Sequence, residues 1–139
     1  MPTEENKALV RRFFEEMWNQ GDMSVANELL AADHVHHFSD EDIHGPDGVK
    51  QLVHWLRTTF PDIYTSTDDM VAEGDKVAVR FTIRGTHLGE GMSVPPTGKR
   101  VVYTGVDIFR LAGGRIVERW GEVDSLGLRQ QLGTIPPIG

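Results

Sequence analysis

At 139 residues, 39% hydrophobic and 25% charged, the chain has the size and composition of one domain able to bury its own core. Its formal net charge of -7 excludes the basic footprint that nucleic acid or an anionic membrane surface requires. The lack of cysteine excludes disulfides, thiolate metal sites and cysteine nucleophiles together, and fits a reducing compartment. No run approaches the ~18 apolar residues of a membrane span. The stretch Met1-Pro2-Thr3-Glu4-Glu5-Asn6-Lys7 is polar with no apolar segment behind it, so no signal peptide is expected and the expected location is cytoplasmic.

The chain begins as helix. Thr3 is a candidate N-cap with Glu4 and Glu5 in the first turn. Val10, Phe13, Phe14, Met17 and Trp18 then recur at the spacing of an amphipathic stripe. Asn19-Gln20-Gly21-Asp22 ends that helix, and Asp22 caps a short second one through Leu30. A third helix is predicted from Pro46 to about Thr59, with Val49, Leu52, Val53 and Leu56 on one side, and Phe60-Pro61 closes it. The period then changes. Residues 63–73, 76–87, 100–111 and 115–124 alternate or are rich in β-branched and aromatic side chains, which predicts strands. Glu73-Gly74-Asp75-Lys76 and Ala112-Gly113-Gly114-Arg115 read as tight hairpin turns, and Gly89 to Gly98 as a longer loop. Helices followed by a strand meander predict an α+β domain, with helices on one face of an antiparallel sheet. No repeat or linker interrupts it, so a single domain over 1–139 is expected.

The last strand carries the most chemistry. Parity places Ile116, Glu118, Trp120, Glu122 and Asp124 on one face and Val117, Arg119, Gly121 and Val123 on the other. Asp124 beside Trp120 is a candidate general acid/base, its pKa raised by apolar neighbours. It is equally placed to cap a helix starting near Ser125. Glu122 is a rim residue that shares a proton with Asp124 if the two are close. Of the six histidines, His34 and His36 share a face while His37 takes the other, so the run does not converge on a metal. No metal site is expected, and His37 is the candidate proton carrier. Phe14, Trp18, Trp55, Phe60, Phe81, Phe109 and Trp120 line either a pocket or a plain core, and Tyr103 adds a phenol for a ligand oxygen. Phosphate-loop, nucleophile-elbow and dinucleotide patterns are absent, so no cofactor is expected.

These segments resemble the SnoaL-like polyketide cyclases (ester cyclases) of the nuclear-transport-factor-2-like superfamily. The resemblance rests on Phe14-Glu15-Glu16-Met17-Trp18-Asn19-Gln20-Gly21-Asp22, on Leu29 to His37, and on Gly45-Pro46-Asp47-Gly48-Val49 with Phe60-Pro61-Asp62. It continues through Gly85-Thr86-His87 and Pro95 to Arg100, and ends in Trp120…Asp124-x-Leu126-Gly127-Leu128-x-x-Gln131-Leu132-Gly133. It implies a cone-shaped, curved antiparallel sheet with the N-terminal helices over a deep pocket, and a homodimer through the sheet. It further implies an aspartate at Asp124 acting as acid/base in an intramolecular aldol ring closure without metal or cofactor. His34 and His36 depart from the family's pattern.

The expectation is therefore a lyase or isomerase acting on an apolar, carbonyl-bearing small molecule. Asp124 and His37 are its catalytic pair, and Trp120, Tyr103, Phe14, Trp18, Glu122 and Trp55 bind the substrate. Two alternatives stay open: a non-catalytic ligand-binding or dimerisation domain, and epoxide hydrolysis with Arg80 or Arg110 orienting the water.

Overall fold

A computed structural model describes residues 2–38 and 41–135; the expected span 1–139 extends beyond them at both ends and at positions 39 and 40. Helix α1 (Pro2–Arg12) has Glu4 and Glu5 in its first turn and Arg11 and Arg12 in its last, each matched to the local end of the helix dipole. It runs on as a π-helical segment, Phe13–Asn19, which buries Phe13, Phe14, Met17 and Trp18. Such widened turns leave backbone carbonyls in need of partners. Gln20 N–H reaches back to Glu15 O at 3.0 Å, and Arg57 Nη1 donates to Trp18 O and Asn19 O at 2.6 and 3.0 Å. Asp22 does cap the next turn, accepting from Ser24 N–H, but that turn is 3₁₀ (Met23–Val25) and leads into a short α2 (Ala26–Leu29).

Leu30, expected to end a helix, instead opens β1 (Leu30–Phe38), which pairs with β2 (Glu41–His44). Helix α3 (Gly45–Thr59) follows with Pro46 in its first turn. Then come β3 (Tyr64–Glu73), β4 (Lys76–Thr86), β5 (Arg100–Ala112), β6 (Arg115–Val123) and α4 (Ser125–Leu132). Both predicted hairpin turns form, and Gly113 and Gly114 at φ 59° and 76° supply the two left-handed residues of the second. The sheet order is β2-β1-β6-β5-β4-β3. It is antiparallel except where β1 lies parallel to β6, so the expected antiparallel sheet is in fact mixed. The parallel pair arises because β1 and β6 are joined not by a direct hairpin but by a long path through β2, α3 and the strand meander.

Strand β5 alternates cleanly, sending Val101, Tyr103, Gly105, Asp107, Phe109 and Leu111 inward beneath α1 and the π segment. Strand β6 does not. Arg110 pairs with Glu118 while Leu111 pairs with Ile116, so Val117 is an unpaired extra residue, a β-bulge. The bulge reverses the parity expected for this strand. Ile116 is inward, but beyond the bulge it is Arg119, Gly121 and Val123 that face the helices. Glu118, Trp120 and Glu122 face out. No helix among the described residues is long and apolar enough to cross a membrane.

Candidate active site

Between the sheet and its helices lies a cavity of about 240 Å³. Phe14 and Trp18 from the π segment, Leu52 and Leu56 from α3, and Phe81 and Ile83 from β4 make its apolar wall. Trp55 and Arg129 stand at the rim, both exposed. Tyr103, His36 and Arg119 bring polar groups to it. Of the residues expected to bind substrate, Phe14, Trp18, Trp55 and Tyr103 are therefore on the wall. Burial pushes the Tyr103 phenol up, so it stays protonated as a donor.

The remaining expected residues lie elsewhere, and two causes account for this. The bulge carries Trp120 and Glu122 to the outer face of the sheet. His37, adjacent to inward His36, follows by strand alternation. There the His37 ring stacks on Trp120 at 5.4 Å, with Nδ1 at 3.0 Å from Asp42 and Nε2 at 2.8 Å from Glu118. The hydrogen bond to Glu118, reinforced by Asp42, holds the imidazole pKa above its ordinary value. Asp124 ends β6 exposed to solvent, where its Oδ1 accepts Gly127 N–H at 2.8 Å and caps α4. Asp124 thus takes the helix-cap position and is not among the residues lining the cavity. Arg80 and Arg110 are also outward, paired with Asp69 and Glu118.

In their place the inner face holds a constellation that the sequence reading passed over. Asp107 on β5 and Arg119 on β6 form a buried ion pair, Asp107 Oδ2 lying 2.8 Å from Nε and 2.6 Å from Nη2. Residue exposures are 1% and 6%, deep enough that each charge depends on the other. Phe13, Trp18 and Phe109 surround the guanidinium, with ring centroids at 5.1, 5.7 and 5.6 Å. Burial pushes the Asp107 carboxyl up, and Arg119 opposes that shift. His36 completes the group. Burial, with Arg119 nearby, drives its pKa down to about 2, so the ring is neutral. His34, two residues back on the same strand face, donates from Nδ1–H to Ile116 O, and burial pushes its pKa down to about 4.

Buried polar atoms are normally paired. Here Asp107 Oδ1, Arg119 Nη1, both nitrogens of His36, His34 Nε2 and Trp18 Nε1 have no partner. Two of them, Asp107 Oδ1 and His36 Nε2, meet where β6 carries Gly121. A Cβ at that position would lie 2.6 Å from Asp107 Oδ1 and 3.2 Å from His36 Nε2, so only glycine lets the carboxylate and the imidazole approach over the strand. A signal for Asp107 was present in the sequence. It is the one acidic residue on the inward parity of residues 100–111, among valine, tyrosine, phenylalanine and leucine.

A curved sheet covered by helices, with one polar cluster at the floor of an apolar cavity, defines a small-molecule pocket protein. A sequence model described as SnoaL-like polyketide cyclase matches residues 8–132, and the chain belongs to that family. It is similar to the nogalonic acid methyl ester cyclase of Streptomyces nogalater, 29% identical over 119 residues, covering 84% of this chain and 89% of that one. The aklanonic acid methyl ester cyclase of Streptomyces peucetius is 26% identical over 129 residues, covering 90% and 88%. Among solved structures, AclR from Streptomyces galilaeus, proposed to be a hydroxylase, superposes with a TM-score of 0.88. It is 34% identical, and the match covers 99% of this chain and 86% of that one.

Proposed function

We propose that the protein is a cofactor-free acid/base enzyme that ionises a carbon acid in an apolar, carbonyl-bearing small molecule, leading to aldol ring closure or a related isomerisation. The observation that carries this is Arg119 and neutral His36 on the cavity wall, with Asp107 buried behind them in an ion pair with Arg119, each of the three retaining an unused hydrogen-bonding atom. Arg119 Nη1–H and the Tyr103 hydroxyl donate to the carbonyl oxygen and hold the enolate that develops on it. His36, on the wall, accepts the proton and returns it within the same turnover, and the buried Asp107 carboxylate balances the passing charge. No imidazolium accumulates, as its low pKa requires. The wall holds the chain folded for attack. Two relatives are cyclases of methyl esters, which supports a carbonyl-bearing substrate.

This reading moves the acid/base role from Asp124 and His37 to Asp107 and His36. Deuterium exchange into the activated carbon of a 1,3-diketone in D₂O, followed by NMR, tests it. Asp107→Asn is expected to slow enzymatic exchange by about a hundredfold or more, and Asp124→Asn to leave it nearly intact. Unchanged exchange in Asp107→Asn removes that carboxylate from the chemistry. Hydrolysis of an epoxide gains an arginine in Arg119, but the cavity wall presents no carboxylate among the described residues.

A homodimer through the sheet is part of the same proposal. Val102, Val106 and Ile108 are 50%, 50% and 41% exposed on the outer face, beside Trp120. Glu41, Asp42 and Glu122 border this stripe on one side, and Arg80 and Arg84 on the other. A two-fold copy lays the basic border of one chain on the acidic border of the next.

A further inference from the structure

We infer that Met92 sets the size of molecule the cavity admits, closing it to carbonyl compounds with more than two fused rings. This rests on the proposed reading of the cavity as a small-molecule site and names the residue that selects among its substrates. A volume of about 240 Å³ is less than the ~300–1,000 Å³ usual for ligand pockets. Nearly all of the wall stands on helices and strands, where packing locks side chains such as Phe14, Phe81 and Ile83. Met92 is the one wall residue, among those described, that comes from the loop between β4 and β5.

Its backbone is held in a conformation that methionine adopts only at a cost. Gly91 and Val94 pair as an antiparallel bridge, which makes Met92 and Ser93 the central residues of a tight turn. Both are left-handed, at φ 62° and 63°, where Asn-Gly is the ordinary choice. No other non-glycine among the described residues has a positive φ. Such strain persists where the surroundings fix it, and here they do so on both flanks. The fully buried His87 imidazole accepts Thr97 N–H at Nδ1 and donates from Nε2–H to Gly91 O, each at 3.2 Å. Leu88 and Gly89 N–H donate to Thr59 O at the end of α3, at 3.2 and 3.1 Å, and a Cβ on Gly91 would strike the Thr59 side chain. The pinned turn carries Met92, half-buried, against the core. Because the backbone cannot retreat, the thioether takes its own volume out of the space left for a ligand.

The test uses methyl 3-aryl-3-oxopropanoates with phenyl, 2-naphthyl and 2-anthryl rings, bound by equilibrium dialysis to the full chain and to Met92→Leu, Met92→Ala and Met92→Gly. The wild type is expected to bind the naphthyl ester about tenfold or more tightly than the anthryl ester, the cost of forcing a misfit group into a packed site. Met92→Leu, similar in volume, should keep that ratio, while Met92→Ala should bring it to about one or below. Met92→Gly opens the same space and frees the left-handed backbone, so it carries the test even where the alanine variant unfolds. Its urea midpoint is expected above that of Met92→Ala. Equal binding of the two larger esters by the wild type, or a ratio unchanged in both small variants, overturns the inference and leaves the cavity reading in place. A glycine midpoint at or below the alanine one overturns the strained turn. Failure of all three esters, the phenyl included, to bind the wild type overturns the cavity reading itself.

Discussion

Replacing His36 by leucine removes a neutral imidazole that is 1% exposed and has no partner at either nitrogen. An unpartnered buried polar group costs about 1–3 kcal/mol, and leucine fills a similar volume, so the variant is expected to be more stable by about 1 kcal/mol at pH 7.5. The gap should then widen in acid. In the unfolded chain the imidazole takes a proton near pH 6.5, whereas in the fold its pKa is about 2. Below about pH 6.5 the unfolded wild type binds a proton that the native state refuses, so wild-type stability falls as pH falls. Each pH unit is worth about 1.4 kcal/mol, which makes the gap about 3 kcal/mol at pH 5. His34, pushed down to about 4, loses stability in the same direction in both proteins and cancels from the difference. His37, held above its ordinary value on the outer face, acts in the opposite sense and also cancels. Urea unfolding followed by circular dichroism at pH 7.5, 6.5 and 5.0 measures the gap. A gap independent of pH, or a variant less stable throughout, refutes the placement of a neutral, unpaired His36 in the core.

Other consequences are as direct. Asp124→Ala should cost about 1 kcal/mol through loss of the α4 cap, with urea midpoints as the measure, while Asp124→Asn, which retains a capping oxygen, should cost much less. In an NMR titration the His37 ring should titrate above the ordinary histidine value, and Glu118→Gln should bring it down, since the Glu118 hydrogen bond is the largest cause of the shift. That stabilising contribution is present at low pH and fades as pH rises through the raised pKa. Trp120→Glu should place a charge in the apolar outer stripe and convert a dimer to monomers in sedimentation velocity, whereas an unchanged oligomeric state would locate any dimer elsewhere.

Much of the fold is legible in the residues because local signals and tertiary demand coincide. The stripe from Val10 to Trp18, the glycine turns and the strict alternation of β5 each follow from one period. What was not legible has physical reasons. Leu30 to Phe38 mixes histidine, aspartate and alanine without alternation, so its strand exists by pairing with β6 rather than by propensity. Trp120 and Glu122 were expected on the inner face because assignment by counting assumes an uninterrupted pleat, and Val117 breaks it. Asp107 was passed over because an aspartate in a strand reads as an outward residue unless its parity is compared with Tyr103 and Phe109. His36 and His37 differ by one position and face opposite sides, so the family-aligned histidine, His37, lies on the outer face of the sheet.

The bulge at Val117 also determines how β6 tolerates change. In an unbroken strand, sensitivity to substitution rises and falls every second residue. Here the rhythm slips by one beat. Ile116 is intolerant, Val117 and Glu118 are both permissive, and intolerance resumes at Arg119 and Gly121. A saturation scan of this strand therefore reads out the bulge as a phase defect. Any relative that lacks the extra residue must rebuild its cavity floor from the opposite set of side chains, so comparison by alignment alone misassigns the floor in such pairs.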